Sequence, residues 1–330
     1  MYNSKIVGVG HYVPDNVVTN KDLEKLMDTS DEWIVERTGI RERRFVEKGS
    51  GDAPSTMGTK AARIAIERAG LPPDDIDFIV FATLSPDYFF PGLGVMVQEQ
   101  LGIKNIGALD VRNQCSGFIY SVSVADQFIK TGMYKNVLVI GAELHSGGLD
   151  MTTRGRNVSV IFGDGAGAVV MQGTEEEGKG VLSTHLYSEG KYAEELALIG
   201  PNTGHWVPEI MESEEEDISY YPVMNGNFVF KNAVIRFQEV INEALQTNGK
   251  TANEIDLLIP HQANLRISQY IQQKMGLSND QVFNNIMKYG NTTAASIPIA
   301  MSEAWAEGKI KDGDTICLAA FGSGFTWGSA

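Results

Sequence analysis

Cysteine is scarce in this sequence, with only Cys115 and Cys317 among 330 residues. Two cysteines cannot build a disulfide framework in a chain of this length, so a disulfide-rich secreted fold is excluded and a reducing cytoplasm is expected. No apolar run reaches the roughly 18 residues that a membrane-spanning helix needs, so no membrane partner is expected. The first residues, MYNSKIVGVGHYVP, lack a basic region followed by a long apolar segment, and no signal peptide is predicted.

Positive charge is also in short supply, because 27 Lys and Arg residues stand against 42 Asp and Glu residues and leave a formal net charge of −15. This balance argues against a general affinity for nucleic acid or anionic lipid. Part of the excess lies in one acidic run, Glu212, Glu214, Glu215, Glu216 and Asp217. Like charges repel one another and stay hydrated, so we interpret the run as a solvated loop, and no metal site is predicted.

Continuous apolar runs alternate with helical patterns in the first half of the chain. The runs 76–83, 107–111 and 136–141 are each typical of a strand that is buried on both faces. Helical spacing separates them, most clearly over 116–130. This alternation predicts an α/β fold with a largely parallel sheet covered by helices. The segment 158–171 is expected to form a strand, a GDGAG turn and a second strand.

The chain also repeats itself with an offset of 179 residues. DDIDFIV, which contains Asp77, is echoed by NEIDLLI, which contains Asp256 (256 − 77 = 179). The same offset carries the strand 137–140 onto the apolar run 316–319, and the helix after Cys115 onto 294–309. We therefore predict an internal duplication. It divides the chain into an N-terminal half, 1–173, an irregular insertion or cover, 174–225, and a C-terminal half, 226–330.

Cys115 lies where a predicted strand passes into the N-terminus of a predicted helix. Unpaired backbone N–H groups and the positive end of the helix dipole favour a thiolate at such a position, which suits a nucleophile. The alternative is that Cys115 is a small buried hydrophobic side chain, the usual state of an intracellular cysteine. Cys317 lies within a predicted strand, and we interpret it as part of the core.

Two further polar residues occupy comparable positions in the second half. His261 directly follows a strand in IPHQANLRI, at the carboxyl end where α/β folds bind their ligands. Asn291, in KYGNTTAASIP, follows a glycine at a predicted helix start, where a helix N-cap is the alternative interpretation. Because Cys115, His261 and Asn291 all fall at strand ends or helix starts of the repeated units, they are predicted to form one site.

This set of residues suits two kinds of chemistry. In a thiol hydrolase the cysteine and histidine attack an amide or thioester while asparagine orients the imidazole. In a condensing enzyme the cysteine accepts an acyl group, and histidine and asparagine donate to the oxygen of a second thioester as it loses carbon dioxide.

Several motifs resemble those of a known family. The segments NQCSGF, PHQANLRI, YGNTTAASIP and FGSGFTWGSA resemble the active-site blocks of β-ketoacyl-acyl-carrier-protein synthase III, a branch of the thiolase-like condensing enzymes. DEWIVERTGIRERR and FGDGAGAVV also match the family's pattern. The resemblance spans nearly the whole chain and implies a five-layered αβαβα fold and a homodimer. It further implies a ping-pong Claisen condensation, without a cofactor, of an acyl-CoA primer with malonyl-acyl-carrier protein.

The resemblance assigns roles to the residues of the site. Cys115 would be the acylated nucleophile, and His261 and Asn291 would promote decarboxylation. The backbone N–H groups of Cys115 and Ser323 would bind the acyl oxyanion. The family usually has glycine at the position of Ser323.

It also implies residues that bind substrates and partners. CoA would be bound by Trp33 and Arg156 around the adenine, by Arg37 at a phosphate, and by Asn227 and Asn264 along the pantetheine. The carrier protein would dock on Lys231 and Arg266. The acyl pocket would include Phe321 and Phe90, and Phe90 would reach across the dimer.

Other functions remain open at the level of the sequence. The segment 200–221 is longer and more acidic than expected for the housekeeping enzyme, which leaves room for a specialised relative acting on other acyl chains or in secondary metabolism. A Cys–His–Asn hydrolase and a non-catalytic acyl-CoA-binding protein on the same fold are the remaining alternatives.

Overall fold

Two β-sheets of matching topology organise the fold. The computed structural model describes residues 3–200, 202, 211–212 and 220–330. Its strands are β1 (Asn3–Tyr12), β2 (Val17–Thr19), β3 (Glu42–Arg44), β4 (Phe78–Ala82), β5 (Gly107–Val111), β6 (Asn136–Glu143), β7 (Gly165–Thr174), β8 (His185–Ser188), β9 (Leu196–Ala197), β10 (Val223–Met224), β11 (Leu257–Pro260), β12 (Ile316–Gly322) and β13 (Thr326–Ser329). Its helices are α1 (Asn20–Leu23), α2 (Asp31–Thr38), α3 (Pro54–Arg68), α4 (Leu93–Leu101), α5 (Gly117–Lys130), α6 (Arg156–Ser159), α7 (Gly226–Thr247), α8 (Leu265–Met275), α9 (Ile286–Tyr289) and α10 (Ser296–Ala306).

The first sheet has the strand order β1-β7-β6-β4-β5, and the second has the order β8-β13-β12-β11. Every residue of β4 and β6 is buried. Strands that are buried on both faces read as continuous apolar runs, which is why the sequence shows them so clearly. Helices must therefore cover both faces of these strands.

The helices supply the remaining three layers. Helices α3 and α4 pack on the outer face of the first sheet, and α7 packs with α8 on the outer face of the second. Helices α5 and α10 lie between the sheets and contact strands of both. Apolar side chains of the middle layer, such as Phe118 and Ile297, share one core with Val80 of the first sheet and Ile259 of the second. This is the predicted αβαβα arrangement.

The two sheets repeat one another with the predicted offset. β4 begins at Phe78 and β11 at Leu257, and the 3₁₀ turns Gln114–Ser116 and Thr293–Ala295 are separated by the same 179 residues (293 − 114). Even a hydrogen bond recurs, because Asp77 accepts the N–H of Asn136 at 2.8 Å and Asp256 accepts the N–H of Thr315 at 2.7 Å. The internal duplication is confirmed.

One segment differs from the expected secondary structure. The first strand expected within 158–171 is absent, because α6 occupies Arg156–Ser159 and Phe162 forms only an isolated bridge with Asn291. That prediction was wrong because a short apolar run does not distinguish a strand from other buried segments. Within 174–225, expected to be irregular or short-stranded, β8 pairs with β13 as an edge strand of the second sheet. Its four residues, HLYS, are too few to show an alternation.

No helix within the described ranges is long and apolar enough to cross a bilayer.

Stability should depend on the middle layer. Ile129 of α5 is 1% exposed and belongs to the core between the sheets. Ile129→Ala should lower the free energy of unfolding by about 2–5 kcal/mol, because it leaves a cavity that the two sheets cannot close. The matched control is Ile235→Ala on α7, since Ile235 is 52% exposed; its effect should stay within about 0.5 kcal/mol. Denaturant titrations followed by circular dichroism give both values, and equal losses would contradict the layer assignment.

Candidate active site

Cys115 lies in the 3₁₀ turn between β5 and α5, with 6% of its surface exposed. The last residue of β12, Gly322, packs directly against it. A Cβ atom on Gly322 would lie 2.6 Å from the Cβ of Cys115 and 3.0 Å from its Sγ. Such distances are sterically forbidden, so this contact between the two halves requires glycine.

Burial controls the protonation of the Cys115 thiol. Desolvation, and next the nearby charge of Glu143, raise the pKa of Cys115 to about 12. Hydrogen bonds from the backbone N–H groups of Ser323 and Cys115 and from the Thr293 hydroxyl act in the opposite direction but do not overcome burial. The thiolate expected from the helix dipole is therefore not the resting state, because the free energy of removing the charge from water exceeds the effect of the helix end.

Asn291 and Cys115 share a neighbour, Thr293. The Asn291 side-chain oxygen accepts the N–H of Thr293 at 2.8 Å, while the Thr293 hydroxyl acts to lower the pKa of the Cys115 thiol. Asn291 is not a helix N-cap, since it forms a parallel bridge with Phe162 and α10 begins only at Ser296. Its backbone N–H donates to Ile161 at 2.8 Å, and its carbonyl accepts the N–H of Gly163 at 3.0 Å.

His261 follows β11 and is held next to the same helix start. Its Nδ1 lies 2.6 Å from the hydroxyl of Ser296, the first residue of α10, and its backbone N–H donates to Ala319 of β12 at 2.8 Å. Its Nε2 is buried and has no hydrogen-bond partner among the residues that the structure describes. Burial lowers the pKa of His261 to about 3, so the ring is neutral at physiological pH.

Ser323 follows β12, and its backbone faces Cys115. Its N–H lowers the pKa of the thiol by favouring the anionic form, as the N–H of an oxyanion site would. Its hydroxyl points elsewhere and donates to the carbonyl of Leu196 in β9. Serine in place of the family's usual glycine thus keeps the N–H at the thiol and adds a bond to the β9–β10 ribbon.

The two duplicated turns share a backbone conformation that is rare outside glycine. Gln114, directly before Cys115, has φ 43°, and Thr293, at the matching position, has φ 50°. Left-handed backbone is unfavourable for a β-branched residue such as threonine. Thr293 is one of the groups that lower the pKa of the Cys115 thiol, so the strain coincides with the candidate site.

Three residues of this site were missed by the sequence analysis: Glu143, His145 and Thr293. Glu143 ends β6 and is fully buried, with its carboxylate accepting the Ser85 hydroxyl at 2.7 Å. His145 lies two residues further and contacts the Thr293 hydroxyl at 2.8 Å. A signal was present, because titratable residues directly after a buried strand in GAELH fall at the same sheet edge as Cys115.

The residues predicted to hold the adenine and a phosphate of CoA form one partly exposed cluster. The guanidinium of Arg37 lies 4.5 Å and that of Arg156 lies 5.2 Å from the ring centroid of Trp33. Arg156 also donates to the carbonyl of Asp28 at 2.6 Å. The structure thus brings all three predicted residues together, with Arg156 resting over the indole.

The remaining predicted binding residues lie on α7 and α8. Asn264 is the N-cap of α8: its oxygen accepts the N–H of Arg266 and its amide donates to the carbonyl of Arg37, both at 2.9 Å. Arg266 is exposed and lines an open cleft of about 290 Å³ next to α2. Asn227 and Lys231 are exposed on the first turns of α7.

The two predicted pocket residues differ in environment. Phe321, on β12 next to Gly322, is 3% exposed and packs on Phe325 with ring centroids 4.8 Å apart. Phe90 is 78% exposed, beside exposed Tyr88 and Phe89. Phe90 is therefore not part of the apolar core of the single chain.

Most of the acidic run, from Glu214 to Asp217, lies outside the described residues. Within the described residues, no group of three or more His, Cys, Asp or Glu side chains is placed to hold a metal ion.

Comparison with known proteins decides the family. Residues 109–190 match the sequence profile of 3-oxoacyl-[acyl-carrier-protein (ACP)] synthase III, and residues 245–330 match the profile of its C-terminal part. The β-ketoacyl-[acyl-carrier-protein] synthase III 1 of Vibrio vulnificus (strain YJ016) is 46% identical over 327 residues, which cover 99% of this chain and 98% of the relative. The chain belongs to the β-ketoacyl-acyl-carrier-protein synthase III family.

Solved structures agree with this family assignment. The 3-oxoacyl-[acyl-carrier-protein] synthase III from Aquifex aeolicus VF5 superposes with a TM-score of 0.90 at 45% identity, covering 99% of this chain and 98% of that one. The priming β-ketosynthase from the R1128 polyketide biosynthetic pathway has a TM-score of 0.90 at 31% identity, covering 99% and 95%. The predicted family and thiolase-like fold are confirmed, and so is the prediction that the chain is an enzyme of this acyltransferase type.

Glu143→Gln should change how stability depends on pH. Burial raises the pKa of Glu143 from its ordinary 4.5 to about 7 in the folded protein. Between these pH values the folded chain holds a proton that the unfolded chain has released, so this group's contribution to stability is lost as the pH rises toward 7. Relative to wild type, the unfolding free energy of the variant should therefore rise by up to about 3 kcal/mol across this interval and then level off.

Urea titrations at a series of pH values from 4.5 to 8 measure the difference between the two proteins. Glu99→Gln, at an exposed position of α4, is the matched control for the loss of one carboxylate. Parallel stability curves for wild type and Glu143→Gln would contradict the raised pKa of Glu143.

Proposed function

We propose that this enzyme condenses an acyl-CoA primer with malonyl-acyl-carrier protein, releasing CoA and carbon dioxide, in the initiating step of type II fatty-acid synthesis. The observation that carries the proposal is the arrangement around Cys115. The thiol lies against two backbone N–H groups, while Asn291 is joined to it through Thr293. Similarity over the full length of β-ketoacyl-acyl-carrier-protein synthase III relatives supports the same reaction.

The first half-reaction is an exchange of thioesters at Cys115. The sulfur attacks the acyl carbonyl, the bond to the CoA sulfur breaks, and the thiol proton leaves with CoA as its free thiol. The N–H groups of Cys115 and Ser323 lie close to the sulfur and are suited to stabilise the negative oxygen of the tetrahedral intermediate. Because the resting thiol is neutral, attack becomes favourable only when the acyl carbonyl is bound with its oxygen at these two N–H groups.

The second half-reaction uses His261 and Asn291 as donors. The Ser296 hydroxyl oxygen accepts the N–H of Gln262 at 3.4 Å, which leaves its hydrogen for Nδ1 of His261 at 2.6 Å. The neutral ring then carries its proton on Nε2, the nitrogen that has no partner among the described residues. The oxygen of Asn291 is occupied by Thr293, so its NH₂ group is the available donor. Both hydrogens would stabilise the enolate oxygen that forms as malonyl thioester loses carbon dioxide.

CoA would bind across Trp33, Arg37 and Arg156. An adenine ring between the indole and a guanidinium plane needs about 7 Å, twice an ordinary contact distance. Since the guanidinium of Arg156 lies 5.2 Å from the Trp33 centroid, it must leave the indole and its bond to Asp28 before adenine enters. Arg37 would meet a phosphate, and Asn227 and Asn264 would line the pantetheine path toward Cys115.

An acyl carrier protein would dock where Lys231 and Arg266 form a local positive surface on an otherwise acidic enzyme. Both side chains are exposed at the N-terminal ends of α7 and α8, and neither forms an ion pair within the described residues. The reaction requires no cofactor beyond its two thioester substrates. We place the enzyme in the cytoplasm, where its two free cysteines stay reduced.

The enzyme is proposed to act as a homodimer. Strand β5 ends the first sheet with an unpaired edge, where Leu109 is 39% exposed. The neighbouring aromatic side chains of Tyr88, Phe89 and Phe90 are also exposed. Pairing of two copies would cover this apolar surface and carry Phe90 toward the acyl pocket of the partner.

A specialised condensation is the second candidate. The priming β-ketosynthase of a polyketide pathway shares the fold over 99% of this chain at 31% identity. Such an enzyme would use the same Cys115 chemistry with a different primer.

Incubation with a panel of acyl-CoAs should add one acyl group to the protein. Intact-mass measurement gives the mass gain, which should be lost in Cys115→Ala because the proposed acceptor sulfur is removed. Cys317→Ala is the matched control, since Cys317 is a second buried free cysteine, and it should still be acylated. An adduct that persists in Cys115→Ala would rule out the assigned nucleophile.

His261→Ala should separate the two half-reactions. Acylation of Cys115 should survive, while release of carbon dioxide from malonyl-acyl-carrier protein should fall at least about 100-fold, the usual effect of losing one oxyanion donor. Labelled carbon dioxide and intact mass follow the two steps. His185→Ala on the edge strand β8 is the control and should leave both unchanged. Normal condensation by His261→Ala would refute the role of His261.

A further inference from the structure

A second buried histidine reaches the nucleophile through a single hydroxyl group. His145 follows β6, and its Nε2 lies 2.8 Å from Oγ1 of Thr293. The same hydroxyl acts on the Cys115 thiol, where it lowers the pKa of that group. The roles proposed above leave His145 without a function. Thr293 therefore connects His145 to Cys115.

Both the backbone and the ring of His145 are held in place. The carboxylate of Asp164 accepts the backbone N–H of His145 at 2.7 Å and the backbone N–H of Ser146 at 2.9 Å. The imidazole also packs on Phe162, with ring centroids 4.7 Å apart. A histidine that served only to fill space would not need its backbone bound to a buried carboxylate while its side chain contacts a strained threonine.

The number of hydrogen atoms on the His145 ring and the Thr293 hydroxyl decides which group donates and which accepts. Burial lowers the pKa of His145 to about 3, so the ring is neutral and carries one N–H. The Thr293 hydroxyl has only one hydrogen. When the thiol has lost its own proton, the sulfur needs a donor, and none would remain for it if the Thr293 hydrogen went to Nε2. If instead Nε2–H donates to Oγ1, the hydroxyl hydrogen is free to point at Cys115.

We propose that His145 is a positioning residue whose Nε2–H fixes the Thr293 hydroxyl so that this hydroxyl donates its hydrogen bond to the Cys115 sulfur. The bond stabilises negative charge on the sulfur when it attacks the primer and when it leaves after condensation. The part of the inference that concerns the primer rests on the proposed function. The effect of His145 and Thr293 on the reactivity of the free Cys115 thiol does not. Glu143 acts on the same thiol, His261 contacts Ser296 three residues after Thr293, and Asp164 accepts the backbone N–H of His145, so all three are left intact in the test.

The experiment is the pH dependence of iodoacetamide alkylation, read by peptide mass at Cys115. The variants are His145→Leu, His145→Gln, Thr293→Val, Thr293→Ser and the double variant His145→Leu with Thr293→Val. His145→Leu and Thr293→Val should each slow alkylation of Cys115 about tenfold at fixed pH, because a smaller fraction of the thiol is ionised at that pH. The Gln and Ser variants should recover most of the rate, because each keeps its donor. The double variant should be no slower than either single one.

The matched control is His11→Leu. His11 forms a similar pair, with its Nδ1 2.8 Å from the hydroxyl of Ser302, but this pair is not bonded to a thiol. It should leave the alkylation profile of Cys115 unchanged. Thermal melting of each variant identifies any that fail to fold, and the Thr293→Val and Thr293→Ser pair carries the test if His145→Leu is one of them.

The results separate this inference from the proposed function. A folded His145→Leu with the wild-type profile would overturn the positioning role, as would full additivity in the double variant or failure of both conservative variants to recover the rate. Acylation by acyl-CoA is measured in parallel. If the variants show the expected changes in alkylation but the wild-type protein accepts no acyl group, the proposed function is refuted and the role of His145 is supported.

Discussion

The candidate site depends on how closely two duplicated turns approach each other between the sheets. Gly322 lets β12 lie against Cys115, and Gly141 of β6 would place a Cβ atom 2.4 Å from the carbonyl oxygen of Ala294. At both places any side chain would push one half away from the other. Because α5 and α10 start from these turns and fill the middle layer, the packing of the whole core fixes the position of the nucleophile. Chemistry and stability thus rest on the same contacts.

Desolvation is the dominant electrostatic effect in this region. It keeps the thiol of Cys115 protonated and both His145 and His261 neutral, and it moves the pKa of Glu143 close to 7. Neutral groups suit a site whose task is to meet a charge that appears only during the reaction. Burying uncharged donors costs less free energy than burying charged ones. Donors that are already aligned also need no reorientation if an oxyanion forms.

Much of this architecture could be predicted from the sequence. Buried strands read as apolar runs, and the 179-residue offset revealed the two halves, while the strand ends and helix starts led to the prediction that Cys115, His261 and Asn291 form one site. The resting thiol was not predictable, since a helix start is visible in a sequence but the depth of burial is not. Nor was the bond between His145 and Thr293, because these residues are 148 positions apart and the contact depends on a left-handed backbone at Thr293.

The bond between the Ser323 hydroxyl and Leu196 has an evolutionary consequence. It ties the turn after β12 to β9, and β9 pairs with β10. The free energy of closing a loop grows only slowly with its length. Insertions or deletions between β9 and β10 should therefore be tolerated during evolution without moving Ser323 away from Cys115.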